Sequence, residues 1–156
     1  MTDEWKSEDA FKKFNSTELV AGLCYGEARL VEDSILDDIK EYIAIGNVVE
    51  NRVKAGRFPN DVYGVILQPK QFSCFNITDP NRKLIYEFLS TKQPSNQYSR
   101  LMVFAYATSW RLTVDFSNGA THYVARWFYE TVKESHWCRM MIITACYGGH
   151  IFLKEK

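Results

Sequence analysis

An apolar stripe at helical spacing is the clearest pattern near the start of the chain. Asn15 is placed to cap a helix over about Ser16–Leu30, because Glu18 follows three residues later as in a capping box. One face of this helix carries, at steps of three or four residues, Val20, Cys24 and Val31. Glu27 falls on the same face. A carboxyl group within an apolar stripe is therefore the first candidate for chemistry in the sequence.

The remaining pattern predicts more helices and then short strands. Helical periodicity favours helices over about Ile39–Lys54, Pro80–Ser90 and Tyr98–Trp110. Between them, Val62–Leu67 fits a helical turn or a strand, and Gln71–Asn76 fits an extended loop. Strands are predicted at Val114–Phe116, Ala120–Val124 and Met140–Tyr147, and Gly148-Gly149 predicts a hairpin turn into His150–Leu153. Helices followed by strands indicate an α+β domain, not a doubly wound α/β fold.

Length and charge narrow the class of protein. The chain has 156 residues, and 19 Lys and Arg balance 19 Asp and Glu, so its formal net charge is zero. This length fits one domain, which we place at residues 15–156 after a polar leader at residues 1–14. A neutral chain lacks the basic surplus that broad binding to nucleic acid or to an anionic membrane requires. We therefore expect no nucleic-acid partner, and we expect no membrane insertion because no apolar run is long enough to span a bilayer.

The leader and the cysteines indicate the cellular compartment in which the protein folds. The leader mixes charges of both signs and has no apolar segment that could form the core of a signal peptide, so we expect a protein made and folded in a cytosol. The cysteines show no C-x-x-C spacing and are expected to be free thiols in the core: Cys24, Cys74, Cys138 and Cys146.

Burial would suit Glu27 to general acid catalysis. A desolvated carboxyl group keeps its proton to higher pH, and a group that protonates a leaving oxygen near neutral pH needs that property. The alternative is a structural salt bridge. Arg29 is a poor partner, because helix positions two apart do not face each other, whereas Arg52 on the next helix stays open as a partner.

A series of short motifs runs through most of the chain. It begins with Tyr25-Gly26-Glu27-Ala28-Arg29 and continues in order with Asn47-Val48-Val49, Asn51-Arg52-Val53, Phe58-Pro59-Asn60, Gly64-Val65-Ile66, Gln71-Phe72-Ser73-Cys74, Gly119-Ala120-Thr121-His122-Tyr123, Trp137, and the closing Gly148, His150 and Phe152. Together the motifs cover about residues 17–153 and resemble the SleB-like cell-wall hydrolase family, which includes spore-cortex-lytic enzymes and phage endolysins. The resemblance implies a lysozyme-like α+β fold, with a helical lobe and a small antiparallel β-hairpin region, that cleaves peptidoglycan glycan strands.

The resemblance also implies that Glu27 is the catalytic acid and then the base. The family usually has a Gly-Glu pair after the arginine, where this chain has Leu30-Val31 with Glu32 one step later, so Glu32 is only a weak candidate for a second carboxylate. One carboxylic acid is enough for a lytic transglycosylase, in which the muramic acid 6-hydroxyl closes an anhydro ring. A hydrolysing muramidase usually uses two carboxylates. We therefore expect a lytic transglycosylase and keep the muramidase as the alternative.

Six residues are predicted to bind substrate: Tyr25, Gln71, Ser73, Thr121, His122 and Tyr123. Gln71 and Ser73 offer an amide and a hydroxyl to N-acetyl groups or sugar hydroxyls. If the late segment is a strand, Thr121 and Tyr123 share one face and His122 lies on the other, so either set could line the cleft. Trp127 and Trp137 are expected either to stack on sugars or to fill the core.

Other functions stay open at this point. A zinc-dependent N-acetylmuramoyl-L-alanine amidase would need metal ligands, but the spacing of His122, His136 and His150 matches no metal motif, so we expect no metal and no cofactor. Spacing gives no support to a cysteine nucleophile, and a non-catalytic peptidoglycan-binding or virion module is the third class. A wall hydrolase without a signal peptide fits a bacteriolytic phage endolysin, released from the host cytoplasm through a holin pore. We expect a monomer whose partner is bacterial peptidoglycan.

Overall fold

Helices make up most of the first part of the chain. The structure is a computed structural model that describes residues 3–27, 35–92, 99–103, 105 and 114–156. Its first four α-helices are α1 (Ser16–Glu27), α2 (Ile35–Lys54), α3 (Val62–Leu67) and α4 (Pro80–Thr91). Two short 3-10 helices accompany them, Asp3–Lys6 and Ser73–Phe75. Residues 99–103 and 105 are also helical.

Local capping explains where α1 and α4 begin. Asn15 Oδ1 accepts a hydrogen bond from the Glu18 amide at 2.9 Å, and Glu18 Oε2 accepts one from the Asn15 amide at 2.9 Å. This reciprocal pair confirms the predicted capping box. Asp79 caps α4 by accepting from the Asn81 amide at 2.8 Å, and Pro80 follows at the first helical turn, where its missing N–H carries no penalty.

A three-stranded antiparallel sheet follows the helices. Its strands are β1 (His122–Ala125), β2 (Ile142–Tyr147) and β3 (His150–Lys154), in the order β1-β3-β2. Helix α5 (Arg126–Thr131) and a 3-10 helix, Trp137–Met140, lie between β1 and β2. The central strand sets the register, since Phe152 pairs with Tyr123 on one side and with Ala145 on the other. The fold is thus the expected lysozyme-like α+β arrangement, a helical lobe with a small antiparallel sheet.

The leader packs onto the helical core. Phe11 and Phe14 are buried, and the Phe11 ring meets the Phe75 ring edge-on at a centroid distance of 5.0 Å. Arg82 on α4 holds the leader in place, because its Nε donates to the Trp5 carbonyl at 2.7 Å. The leader is therefore polar in composition but contributes two aromatic side chains to the core.

Several predicted elements differ from the structure. The predicted strand Val114–Phe116 is wrong: the Asp115 carboxylate accepts hydrogen bonds from the Ser117 and Gly119 amides, each at 2.9 Å, and makes a turn there. Gln71–Asn76, predicted to be an extended or loop segment, contains a three-residue 3-10 helix, and α2 begins at Ile35, before the predicted Ile39. Helix α5 was not predicted. The predicted helix Tyr98–Trp110 lies partly outside the described residues, as do Glu32 and the predicted end of α1.

None of the helices in the described part of the chain combines the length and apolar character needed to cross a bilayer.

Candidate active site

The end of α1 is pressed against α4 and the 71–75 segment. A Cβ atom built on Gly26 would lie 2.5 Å from Ile85 Cδ1 and 3.1 Å from Cys74 Sγ, so any larger residue there would have to displace the Ile85 side chain. Gly22, one turn earlier, is similarly close to Leu89. These two glycines let α1 approach closely enough to bring Glu27, the last described residue of the helix, against the Cys74 side chain.

Glu27 is a partly buried acid. Removal from water raises the pKa of its carboxyl group above the ordinary value. The Cys74 thiol, the electrostatic effect of the nearby His150 and the Tyr123 hydroxyl each lower this pKa, but together they do not cancel the effect of desolvation. Arg52 is not among the groups that affect it, and in the described residues its guanidinium bonds elsewhere. The carboxyl group therefore holds its proton to higher pH than an exposed glutamate would.

Two polar neighbours of Glu27 are themselves uncharged. Burial, followed by the nearby Glu27 charge, raises the pKa of both the Cys74 thiol and the Tyr123 hydroxyl well above their ordinary values. Tyr123 Oη is buried and makes no hydrogen bond of standard geometry to any described residue. It is nevertheless near enough to Glu27 to lower the pKa of the carboxyl group.

Arg52 organises the next part of the site. It is 4% exposed, and its Nε donates to the Thr121 carbonyl at 2.6 Å, while Nη1 donates to Gln71 Oε1 at 3.2 Å. Its guanidinium also packs on the rings of Phe58 and Phe72, at 5.0 and 4.9 Å from their centroids. Burial lowers its pKa, but an arginine of this kind stays charged. Arg52 thus ties the 71–75 segment to the start of the sheet.

His122 lies beside this arginine in a neutral state. Its Nδ1 is 3.0 Å from Thr121 Oγ1, and its ring lies 6.1 Å from the Phe58 ring and 5.5 Å from the Trp137 ring. Burial, reinforced by the positive charge of Arg52, lowers the pKa of His122 from 6.5 to about 4. Because β1 begins at His122, His122 and Tyr123 point to opposite faces of the sheet, and the structure places Tyr123 on the face towards Glu27.

A buried hydrogen-bonded pair supports the hairpin behind the site. His150 Nδ1 lies 2.6 Å from Glu41 Oε1, and the two side chains are 10% and 7% exposed. The Tyr123 ring meets the His150 ring edge-on at 5.1 Å. This contact links Glu41 on α2, through His150 on β3, to the tyrosine that faces Glu27.

The predicted site residues fall into four places. Tyr123 lies with Glu27, while Gln71 and Thr121 gather around Arg52, with His122 beside them. Ser73 is exposed on the 3-10 helix next to Cys74. Tyr25 stacks flat on Phe88 of α4 at a centroid distance of 4.2 Å, with the rings 6° apart.

Cys74 and Glu41 belong to the site but were not predicted from the sequence. Cys74 stands in the motif Gln71-Phe72-Ser73-Cys74, and its position there is the signal that could have found it. Glu41 has no sequence signal, because its partner is 109 positions away. Among the described residues, no group of three or more His, Cys, Asp or Glu side chains is placed to hold a metal ion.

A helical lobe with a small antiparallel sheet gives the protein a lysozyme-like fold, and the partly buried acid Glu27 lies at the end of α1. The chain matches the family model described as Cell Wall Hydrolase over residues 37–153, and it belongs to that family of enzymes acting on peptidoglycan. The matched range begins ten residues after Glu27, so the case for Glu27 depends on its surroundings.

Two solved structures have the same fold. The catalytic domain of SleB from Bacillus cereus is 23% identical, with a TM-score of 0.56, and the match covers 89% of this chain and 89% of that one. The catalytic domain of the germination-specific lytic transglycosylase SleB from Bacillus anthracis is also 23% identical, with a TM-score of 0.59, over 91% of this chain and 98% of that one. No curated protein matches the chain.

Proposed function

We propose that this cell wall hydrolase is a lytic transglycosylase that cleaves peptidoglycan glycan strands with Glu27 as its only acid and base. The observation that carries the proposal is the partial burial of Glu27 beside two neutral polar groups, since this desolvation raises the pKa of its carboxyl group. The same activity is described for one structural relative, the SleB catalytic domain from Bacillus anthracis.

The reaction needs one group that gives a proton and then takes one back. Protonated Glu27 donates its proton to the glycosidic oxygen as the bond from that oxygen to the muramic acid C1 breaks, leaving an oxocarbenium-like centre. The carboxylate then removes the proton of the muramic acid 6-hydroxyl, whose oxygen bonds to C1 and closes the anhydro ring. No water is consumed, and Glu27 ends the cycle protonated.

The other described carboxylates near the site are engaged in structural bonds. Glu41 is paired with His150, and Asp79 caps α4. Asp115 accepts from Asn51 as well as from its own turn. None of the three is free to activate a water opposite Glu27, and this favours ring closure by the substrate's own hydroxyl over hydrolysis.

The remaining predicted contacts follow from this placement. We assign Tyr123 Oη to the sugar that holds the scissile bond, because that hydroxyl is buried beside Glu27 without a partner among the described residues. Gln71, oriented by Arg52, and the exposed Ser73 offer polar groups to neighbouring sugars. Thr121 and His122 shape the far wall, and Tyr25, stacked on Phe88, contacts substrate through its exposed edge.

The decisive test compares Glu27→Gln with wild type on purified sacculi. Loss of a general acid–base group lowers the rate by about 10²–10⁴-fold. Glu130→Gln is the matched control, because it makes the same change at an exposed glutamate on α5 and should leave the rate unchanged. A loss of less than about tenfold in Glu27→Gln, roughly 1.4 kcal/mol of barrier, would remove Glu27 from the central role.

Mass spectrometry of the same digest separates the alternatives. Anhydro-muramic ends, lighter by one water than reducing ends, support the transglycosylase. Reducing ends alone indicate a muramidase, freed stem peptides an amidase, and wall binding without any cleavage a binding module.

The endolysin role, with release through a holin, and the monomeric state stay predictions of the sequence. Expression in a bacterial host with and without a holin tests the first, since lysis is expected only with the holin. Size-exclusion chromatography with light scattering tests the second.

A further inference from the structure

A pocket of about 560 Å³ lies between the leader, the end of α3 and the start of α4. This volume is within the range of small-ligand sites. Neither Glu27 nor Cys74 lines the pocket, whereas Phe72 and Phe75, which lie on either side of Cys74 in the sequence, do. The 71–75 segment therefore contacts Glu27 through Cys74 and the pocket through the two phenylalanine rings.

A buried cation without an anionic partner forms part of the pocket wall. Arg82 is 4% exposed, and its guanidinium donates to three main-chain carbonyls: Trp5, Ser7 and Phe75. A guanidinium has five N–H donors, so two remain. Among the described residues no carboxylate forms an ion pair with Arg82, and burial is the cause that lowers its pKa. The carbonyls supply dipoles but no charge, so a bound anion would offset the desolvation of this cation.

An unpaired acceptor stands in the same wall. Gln68 Oε1 is buried and receives no hydrogen bond from any described residue. At the rim, Lys12 is neutralised by Asp9 at 2.6 Å, whereas Lys70 and Glu8 are exposed. Phe11, Phe72 and Phe75 form an apolar floor. The pocket thus offers a cation for a carboxylate, an acceptor for an N–H donor and an apolar surface between them.

We propose that this pocket binds the stem peptide that branches from the glycan strand, with a free peptide carboxylate at Arg82 and a peptide N–H at Gln68 Oε1. This inference depends on the proposed function, since peptidoglycan is the substrate that would carry both groups. The glycan strand itself offers no free carboxylate for Arg82 where its lactyl carboxyl groups are amide-linked to stem peptides, and phosphate offers an anion but neither an N–H donor nor an apolar surface. A short acidic peptide supplies both.

The test is a titration of the ¹⁵N-labelled full chain with the free tripeptide L-Ala-γ-D-Glu-meso-diaminopimelate, followed by NMR. Saturable shifts at residues 68–70 and 76–78 are expected. The same peptide with its carboxylates amidated should bind at least about threefold to tenfold more weakly, the size of one lost hydrogen bond or more. Equal binding of the amidated peptide, shifts confined to other residues, or equal shifts with inorganic phosphate would overturn the proposal.

Two glutamines on the same loop provide matched variants. Gln68→Met keeps the side-chain length but removes the acceptor, so peptide binding should weaken about threefold to tenfold while shifts caused by chitotetraose persist. Gln71→Met should do the reverse, because Gln71 is held by Arg52 on the Glu27 side. If both variants lose peptide binding equally, the assignment to this pocket is wrong.

Binding to the pocket and cleavage at Glu27 can fail separately. Glu27→Gln should bind the tripeptide as wild type does, since Glu27 does not line the pocket. Peptide binding with a fully active Glu27→Gln would overturn only the proposed chemistry. Normal Glu27-dependent cleavage with no peptide binding would overturn only the pocket.

Discussion

Gly148 in the β2–β3 turn lies against the buried Glu41–His150 pair behind the site. Gly148 has a φ of +50°, and a Cβ atom built there would overlap Glu41 Oε2 and lie 2.6 Å from Glu41 Cδ. The Glu41 carboxylate cannot move aside without losing its 2.6 Å contact with His150. Gly148→Ala should therefore break the pair.

The expected loss has two parts. A side chain in the left-handed region costs about 1–2 kcal/mol, and leaving a buried polar group without its hydrogen bond costs about 1–3 kcal/mol. The sum, about 2–5 kcal/mol, is a large fraction of the stability of many domains. Gly119 is the matched control, because its φ is +83° and nothing lies within 4 Å of a Cβ there. Gly119→Ala should lose only the stability that corresponds to the backbone strain, about 1–2 kcal/mol.

Urea unfolding of both variants measures the difference. Gly148→Ala should have an unfolding free energy about 1–3 kcal/mol lower than that of Gly119→Ala. In a Glu41→Ala background, which has already lost the carboxylate, the same change at Gly148 should cost only the backbone strain, and the double-mutant cycle isolates the contact. If Gly148→Ala and Gly119→Ala differ by less than about 1 kcal/mol, the reasoning about Glu41 is refuted.

Three further predictions concern titrating groups. Because Glu27 must be protonated to act as the acid, the lysis rate should fall as pH rises through its raised pKa. Tyr123→Phe removes a hydroxyl that lowers this pKa, so the fall in rate should move to higher pH. An unchanged pH profile would contradict the contact between Tyr123 and Glu27. Iodoacetamide, followed by mass spectrometry, should alkylate exposed Cys146 first, ahead of the buried thiols Cys24, Cys74 and Cys138. The pKa of His122 is about 4 when folded and 6.5 when not, so the unfolded chain binds the extra proton and the unfolding free energy should decrease as pH falls from about 6.5 towards 4. His122→Gln should flatten that slope in urea titrations.

Local patterns predicted the parts of the fold that local interactions build. The capping box at Asn15 and the proline start of α4 were confirmed, because each depends on residues within one turn. The strand predicted at Val114–Phe116 was wrong. The β-propensity of these residues competes there with Asp115, whose side chain bonds its own turn and prevents strand pairing.

The site was predictable only in part. Glu27 was found because a carboxyl group interrupts an apolar period of α1. Its contact with Cys74 depends on how α1 meets the 71–75 segment at Gly26, which no local pattern encodes. The Glu41–His150 pair joins α2 to the last strand, and its separation of 109 positions puts it beyond any motif.

The neutral neighbours of Glu27 suit a group that must act first as an acid and then as a base. A salt bridge to Arg52 would hold the carboxylate permanently charged and leave no proton to donate. Burial alone would keep the proton so firmly that the carboxylate formed after bond cleavage would be costly. The Cys74 thiol stabilises that carboxylate without neutralising it, and its own raised pKa keeps it protonated as a donor, while the nearby Tyr123 hydroxyl also lowers the pKa of Glu27. Glu27 can therefore pass between its two states with neither one strongly disfavoured, which is what the proposed ring closure by a single carboxyl group would require.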